Sequence, residues 1–144
     1  MHGLQWAEQV SLAGRNTLHV AAKAAAMCDV RQMDQLPHAF ELAEAKGMEV
    51  LVLGEGSNVL FAADFPGLVL CITANACSVV EQSADGALIR AEAGMLWNDL
   101  VHWSLARGWN GLENMALIPG TVGACPIQNI GAYGVEAAEF IETV

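Results

Sequence analysis

The 144-residue sequence predicts a mixed α+β fold, and three observations lead to this prediction. Residues 49–53 read EVLVL, a short apolar run that is typical of a buried strand. Residues 78–82 and 87–91 flank Asp85-Gly86, a pair that favours a β-hairpin because its glycine accepts a positive φ. Residues 96–107 carry apolar side chains at helical spacing, which predicts an amphipathic helix. One domain of ordinary size accommodates these elements.

The remaining elements follow in chain order. Residues 1–15, with Gly3 and Gly14, are expected to form an ill-defined lead-in, and the short-sided run 19–28 fits either a strand or a helix. A first helix is predicted within residues 29–47, with Asp34 as N-cap and a C-terminal stop at Gly47. Two further strands are predicted, at residues 68–73 and 139–144.

Composition and charge exclude several classes of function. Sixteen acidic residues against six basic ones give a net charge of −10, which argues against nucleic-acid binding because few cations are available to neutralise phosphates. Apolar residues make up 54% of the chain and charged residues 15%, which excludes intrinsic disorder and indicates apolar surface meant for a cofactor or for more protein.

The compartment is inferred from cysteine usage and from the absence of targeting signals. The four cysteines and four histidines show no metal-ligand spacing, so no metal site is predicted. Cysteines within apolar runs indicate core positions and a reducing, cytoplasmic location. We see no signal peptide and no apolar run long enough to span a membrane.

The first candidate site is the loop after the predicted strand 49–53. Gly54 and Gly56 allow main-chain amides to face inward as an anion-binding nest, and Ser57 and Asn58 add side-chain donors. No lysine or arginine occurs between Lys46 and Arg90, so an anion held here is held by neutral donors, which suits a buried diphosphate. A plain turn between two strands is the alternative.

The second candidate site is the glycine-rich run 111–134. Pro119-Gly120 fixes a turn, Gln128 and Asn129 offer paired donors and acceptors for a heterocycle edge or a ribityl chain, and Tyr133 supplies a ring and a hydroxyl. Such a long apolar segment is expected to wrap a ligand, although packing under the core is the alternative. No serine has evident His–Asp partners, so a hydrolase triad is not predicted.

Together, these segments resemble one family. The runs LGEGSNVL (53–60), GLEN (111–114), IPGTVGA (118–124) and PIQNIGAYGVE (126–136) are similar to UDP-N-acetylenolpyruvoylglucosamine reductase, with a likeness from Asn16 to the last residue. The resemblance implies an FAD-binding domain of the vanillyl-alcohol-oxidase (PCMH) type, with FAD between two α+β subdomains.

The resemblance also implies a reaction. In the family, NADPH reduces FAD, and the reduced flavin delivers a hydride to UDP-N-acetylglucosamine enolpyruvate, which gives UDP-N-acetylmuramate for peptidoglycan synthesis. A cytoplasmic enzyme, monomeric at full length and without nucleic-acid or membrane partners, is expected.

The family motifs assign FAD contacts by position. Residues 54–58 would receive the pyrophosphate, and the stretches 118–120 and 127–133 would line the flavin and ribityl, so replacing Gly56 by valine is expected to strip FAD by filling phosphate space. The implied cofactor-binding residues are Val52, Gly54, Gly56, Ser57, Asn58, Ile118, Pro119, Gly120, Ile127, Gln128, Gly131, Ala132 and Tyr133.

Departures from the family pattern limit what the chain is expected to do. The family's catalytic arginine, serine and glutamate lie downstream of the tyrosine-glycine motif, and no arginine follows Arg107 here. We therefore expect residues 16–144 to be an incomplete FAD-binding domain, truncated at its C-terminal side, with no catalytic residue, no substrate-binding domain and no turnover alone. His19 stands where the family has glycine, which puts local cofactor contact in question.

Two alternatives compete with this interpretation. One is the FAD-binding module of another vanillyl-alcohol-oxidase-type enzyme, many of which attach flavin covalently, although only Cys125 lies near the two loops. The other is a non-catalytic remnant that keeps the fold and has lost its cofactor.

Overall fold

The computed structural model describes residues 4–144, which form two compact units, one ending at Ala74 and the other spanning Asn75–Val144. Both combine helices with strands, as the sequence predicts. Residues 1–3 of the predicted lead-in lie outside the described residues. Within residues 4–144, no helix is long and apolar enough to cross a membrane.

The first unit is built on a four-stranded sheet in the order β1-β2-β4-β3. The antiparallel pair is β1 with β2, whereas β4 runs parallel to both of its neighbours. Its elements are β1 (Gln5–Ser11), β2 (Lys23–Val30), α1 (Leu36–Ala45), β3 (Val50–Leu53) and β4 (Phe65–Ile72).

Strand β4 contributes side chains to a hydrophobic core on each face of this unit's sheet. Leu68 and Leu70 pack in a cluster with α1, whereas Val69 and Cys71 pack in a second cluster on the opposite face. Alternate side chains of a strand point to opposite faces, so a central strand covered on both sides is apolar throughout. The predicted strand at residues 68–73 is confirmed, with its start moved to Phe65.

The predicted lead-in is wrong for residues 5–11, which form β1. This strand pairs antiparallel with β2 from Gln5 opposite Asp29 to Ser11 opposite Lys23. Most of its side chains are exposed because it lies at the edge of the sheet, so its sequence lacks the apolar run that marks a buried strand. The ambiguous run 19–28 resolves as β2, which begins only at Lys23.

Two local expectations in the first unit need correction. Asp34 is not an N-cap, because a short 3-10 turn, Met33–Gln35, precedes α1 and is capped by reciprocal contacts of Gln32 and Gln35. The strand predicted at residues 49–53 forms as β3, but it is an edge strand in which only Leu53 is buried. Gly47 ends the α1 region with φ +61°, as predicted.

The second unit begins with a two-stranded antiparallel hairpin and continues through helices and short turns. Its elements are β5 (Cys77–Gln82), β6 (Ala87–Ala91), α2 (Trp97–Leu105), α3 (Cys125–Gln128), β7 (Gly131–Ala132) and β8 (Val135–Glu136). The predicted hairpin is confirmed, but Gly86 does not use a positive φ. A four-residue loop, closed by the Ser83 amide on the Gly86 carbonyl at 2.8 Å, does not require one there.

Helix α2 supplies the core of this unit. Trp97, Leu100 and Val101 are buried with residues from the glycine-rich run, among them Met115 and Ile130. The predicted stop is confirmed by Gly108, whose φ is +78°. Trp103 and Trp109 are only half-buried, with ring centroids 5.7 Å apart and the Arg107 guanidinium 3.7 Å from the Trp103 ring.

The strand predicted at residues 139–144 does not form. A 3-10 turn over Ala137–Glu139 is capped by reciprocal contacts of Glu136 and Glu139, and the Phe140 amide closes it on the Ala137 carbonyl. The Phe140 ring then packs against Gly111. These local contacts outweigh the strand preference of a run that pairs with no strand in the described part of this unit.

Candidate functional site

The first predicted loop leaves the carboxyl end of β3 and combines exposed and buried groups. Gly54 and Asn58 are exposed, whereas Gly56 is buried. The Ser57 hydroxyl is buried and has no hydrogen-bond partner among the described residues. An orphaned buried hydroxyl is unfavourable, so this loop has an unused capacity to bind one more polar group.

Gly56 contacts the protein's own main chain, not open space. At its φ of +71°, an added Cβ would overlap the Arg15 carbonyl oxygen and lie 2.8 Å from the Asn16 Cα. The Thr17 amide donates a hydrogen bond to the Gly56 carbonyl at 3.2 Å. The phosphate space expected at Gly56 is therefore occupied by residues 15–17, and a valine there would displace the chain itself.

Segment 12–20, against which Gly56 packs, is organised by one buried side chain. Asn16 is 3% exposed, and its Nδ2 donates to the carbonyls of Leu12 at 2.7 Å and Val20 at 3.2 Å. Its Oδ1 accepts the Val20 amide at 3.0 Å. Such short-range polar contacts are invisible to hydrophobic patterning, and the only sequence signal for segment 12–20 is its Asn-Thr pair.

His19 adopts the backbone conformation that glycine would prefer. Its φ is +52°, its amide donates to the Asn16 carbonyl at 3.1 Å, and its ring Nδ1 lies 3.1 Å from the Ala13 carbonyl. Because a carbonyl only accepts, this contact requires a protonated Nδ1. A turn therefore forms here with histidine at a position of positive φ.

Three basic side chains of the first unit have partners outside the 54–58 loop. The Arg15 guanidinium lies 3.4 Å from Asp29, Lys46 lies 3.9 Å from Glu8, and Arg31 donates to Gln5. The loop itself contributes neutral donors together with the exposed carboxylate of Glu55. Any anion bound here would rely on main-chain amides and hydroxyl or amide side chains.

The second predicted segment is tied to the start of α2. The Trp97 indole donates to the Met115 carbonyl at 2.8 Å, and the Trp97 amide donates to Gly120 at 3.0 Å. The Leu117 amide donates to the Asn98 side chain at 2.9 Å, and the Gly123 amide to Ala93 at 2.9 Å. The glycine-rich run is therefore an ordered part of the unit and not a free loop.

Within this unit, several predicted flavin-lining residues come together. Gly120, at φ +125°, faces the Gln128 side chain, whose amide nitrogen would be 3.2 Å from an added Cβ. Gly131 and Ala132 pair with Glu136 and Val135 as β7 and β8. Tyr133 and Gly134 both have positive φ, as in a type I′ hairpin turn. The turn at Pro119-Gly120 and the α3 region are thus neighbours.

Ordered turns in this segment display large apolar side chains. Leu117 is 81% exposed, Ile127 87% and Tyr133 90%, and in the first unit Val52 is 58% exposed. Leu117 was not predicted from sequence; its φ of +63° and its contact with Asn98 emerge only from the fold. Apolar side chains on fixed backbone provide surface for an apolar ligand to cover.

The contacts of Glu113 and the burial of Cys125 indicate structural roles for both residues. A Glu113 carboxylate oxygen accepts the Gly111 amide, and this bond lowers the pKa of Glu113. Cys125 is buried, which raises the pKa of its thiol. Among residues 4–144, no group of three or more histidine, cysteine or acidic residues is arranged to hold a metal ion.

A cavity of about 800 Å³ lies elsewhere in the second unit. It is lined by the β5–β6 hairpin, by α2 and by the segment from Ala137 to Thr143, and the predicted FAD residues do not line it. Its volume suits a small molecule, but of the motif runs only Leu112 and Val122 line it.

Comparisons with known proteins identify the family. A family model described as an FAD binding domain matches residues 24–144. UDP-N-acetylenolpyruvoylglucosamine reductases from Xanthomonas euvesicatoria and Xanthomonas axonopodis are each 51% identical over 99% of the chain. The chain spans about two fifths (41%) of the length of these relatives.

Two solved structures share the fold. The UDP-N-acetylenolpyruvylglucosamine reductase (MurB) of Thermus caldophilus superposes with a TM-score of 0.64 and 26% identity, covering 93% of this chain and 45% of the other. A solvent-stable cholesterol oxidase gives a TM-score of 0.63 at 20% identity, over 88% of this chain and 24% of the other. The chain belongs to the FAD binding domain family and has the FAD-binding fold of the vanillyl-alcohol-oxidase (PCMH) type.

Proposed function

We propose that this chain holds FAD as the cofactor-binding part of an NADPH-dependent reductase that converts UDP-N-acetylglucosamine enolpyruvate to UDP-N-acetylmuramate. The observation that carries the proposal is the 51% identity with reductases of that name over nearly the whole chain. Because the chain spans only 41% of their length, the complete reaction is proposed for the longer protein. A cytoplasmic, monomeric enzyme without nucleic-acid or membrane partners completes the proposal.

The first loop is proposed to hold the diphosphate. Gly54 and Asn58 are exposed, and the buried Ser57 hydroxyl, which has no partner among the described residues, can donate a hydrogen bond. Gly56 contributes indirectly, since its missing side chain lets segment 12–20 pack against the loop. Fixed neutral donors reorganise little on binding, which favours a buried anion without a lysine or arginine.

The second segment is proposed to contact the flavin and ribityl groups. In the first unit, Val52 is proposed as a cofactor contact on its own. Ile118, Pro119 and Gly120 form one turn, and Ile127, Gln128, Gly131, Ala132 and Tyr133 follow on and after α3. The exposed side chains of Ile127 and Tyr133 suit an aromatic ring system, and Gln128 suits a polar edge or a hydroxylated chain.

The 54–58 loop and the second segment would hold FAD, and the bound cofactor would supply hydride transfer from NADPH to the enolpyruvyl double bond, with a proton added at the neighbouring carbon. The residues of this chain bind and orient the cofactor and cover its apolar ring, which keeps water from that surface. We assign no catalytic residue to the chain, so its proposed contribution to the rate is positioning.

The proposal is tested by the flavin content of the purified chain after desalting. We expect the visible flavin absorption band in the wild type and a weaker band for Ser57→Ala and Asn58→Ala, because each removes a donor. Ser78→Ala, at an exposed position of β5, is the matched control. A colourless wild-type chain that fails to take up added FAD would refute the proposal and favour a remnant without a cofactor.

The alternative of another vanillyl-alcohol-oxidase-type enzyme with covalent flavin makes a different prediction. Cys125 is the only cysteine or histidine near the motif loops in sequence, and its raised pKa makes its thiol a poor nucleophile. Denaturing the loaded protein should therefore release all flavin. Flavin that stays with the unfolded chain would favour the alternative.

A further inference from the structure

His19 holds a backbone conformation that is unfavourable for most residues with a side chain. Its φ of +52° places it in the left-handed region, where residues other than glycine are uncommon. Its side chain is used locally, since Nδ1 lies 3.1 Å from the Ala13 carbonyl. This hydrogen bond offsets part of the conformational penalty that glycine would avoid.

The turn at His19 is closed by one main-chain hydrogen bond and linked to the 54–58 loop by another. The His19 amide donates to the Asn16 carbonyl at 3.1 Å, and the adjacent Thr17 amide donates to the Gly56 carbonyl at 3.2 Å. Gly56 has no room to move toward this segment, because the Arg15 carbonyl and the Asn16 Cα already occupy the space beside it. The position of segment 12–20 therefore sets the position of Gly56.

The hydrogen bond between His19 Nδ1 and the Ala13 carbonyl requires a proton on Nδ1. Nδ1 carries a proton in the neutral tautomer that this contact selects and also in the imidazolium, so the hydrogen bond to Ala13 forms in either state. Asn16 fixes the same segment independently through its three side-chain bonds. Removing the His19 side chain should thus loosen the turn without unfolding the unit.

We propose that His19 is a positioning residue for the 54–58 loop: its hydrogen bond to Ala13 holds the left-handed turn against which Gly56 packs, and so holds the FAD-binding donors in place. The inference rests on the proposed function. It assigns His19 no contact with FAD.

The test compares His19→Ala, His19→Gly and the control His38→Ala in the full chain. His38 lies exposed on α1, where its ring is 3.7 Å from Glu41. The readouts are the dissociation constant of FAD, from quenching of flavin fluorescence, and hydrogen exchange at the Thr17 amide. Exchange at Leu70 in β4 reports whether the fold is intact.

We expect His19→Ala to raise the FAD dissociation constant roughly two- to tenfold, the net value of one hydrogen bond, and to speed Thr17 exchange by a similar factor. His19→Gly should stay within about twofold of wild type, because glycine adopts a positive φ without penalty. The inference is overturned if His19→Ala behaves like His38→Ala, or if His19→Gly is as weak as His19→Ala. Failure of the wild type to bind FAD would refute the proposed function instead, while Thr17 exchange would still decide the role of His19 in the turn.

Discussion

Replacing Gly56 by alanine tests the packing of the first loop most sharply. Three effects act together at this position. A non-glycine residue at φ +71° costs about 1–2 kcal/mol, and an overpacked methyl group costs about 1–3 kcal/mol. Displacing the loop also loses the hydrogen bond between Thr17 and Gly56, worth about 1 kcal/mol. The free energy of unfolding should therefore fall by about 3–6 kcal/mol.

Two other glycines provide controls that separate these effects. Gly47 has φ +61° but no atom within 4 Å of an added Cβ, so Gly47→Ala should cost only the conformational part, about 1–2 kcal/mol. Gly86 has neither a positive φ nor a neighbour within 4 Å, so Gly86→Ala should change stability by less than about 0.5 kcal/mol.

The assay is urea denaturation of the three variants and the wild type, followed by circular dichroism. Gly56→Ala should be clearly less stable than Gly47→Ala and should lose FAD affinity as well. Equal stabilities of the Gly56 and Gly47 variants would refute the argument, because they would show that the Arg15 carbonyl does not confine Gly56. If a destabilised Gly56 variant retained its FAD affinity, the packing of Gly56 would not be required for cofactor binding.

Three further predictions concern other buried groups. Asn16→Ala should lower the free energy of unfolding by about 2–4 kcal/mol, because it leaves buried main-chain groups without partners. Asn58→Ala, at an exposed position, should change the free energy of unfolding little. Equal urea midpoints for the two variants would contradict this prediction. Trp97→Phe should cost about 1–2 kcal/mol because it orphans the Met115 carbonyl, and unchanged stability by the same assay would show that this bond does not hold the segment. Burial raises the pKa of Cys28 from 9.0 to about 11, so its contribution to the free energy of unfolding is complete below pH 9 and is lost as the pH rises toward 11. Cys28→Ala should therefore make the free energy of unfolding fall less steeply between pH 9 and 11. An unchanged pH profile of unfolding would contradict the assignment.

The sequence predicted the elements whose residues are buried or follow a strong turn signal. Strand β4 and helix α2 emerged at about their predicted positions because hydrophobic periodicity reflects burial. The β5–β6 hairpin is largely exposed, and it was predicted from the turn signal between its two strands. Strand β1 was missed because an edge strand is defined by its backbone ladder and need not be apolar. The strand predicted at residues 139–144 failed because capping contacts and the Phe140 ring favour a turn.

For the candidate site, the motifs located both segments but not the reasons for their residue types. Gly56 was interpreted as space for a phosphate, and the structure shows that the space is needed by Arg15 and Asn16. Neither the long-range packing of segment 12–20 nor the positive φ of Leu117 leaves a periodic signal in the sequence. His19 is the informative case, because its positive φ and its side-chain hydrogen bond to Ala13 could not be predicted from hydrophobic patterning.

The most direct measurement of the central claim is a crystal structure of the chain with FAD bound. We expect diphosphate density within hydrogen-bond distance of the main-chain amides and side-chain donors of residues 54–58, with no lysine or arginine in contact. Density for the cofactor in the cavity between α2 and the β5–β6 hairpin, with the 54–58 loop left free, would contradict it.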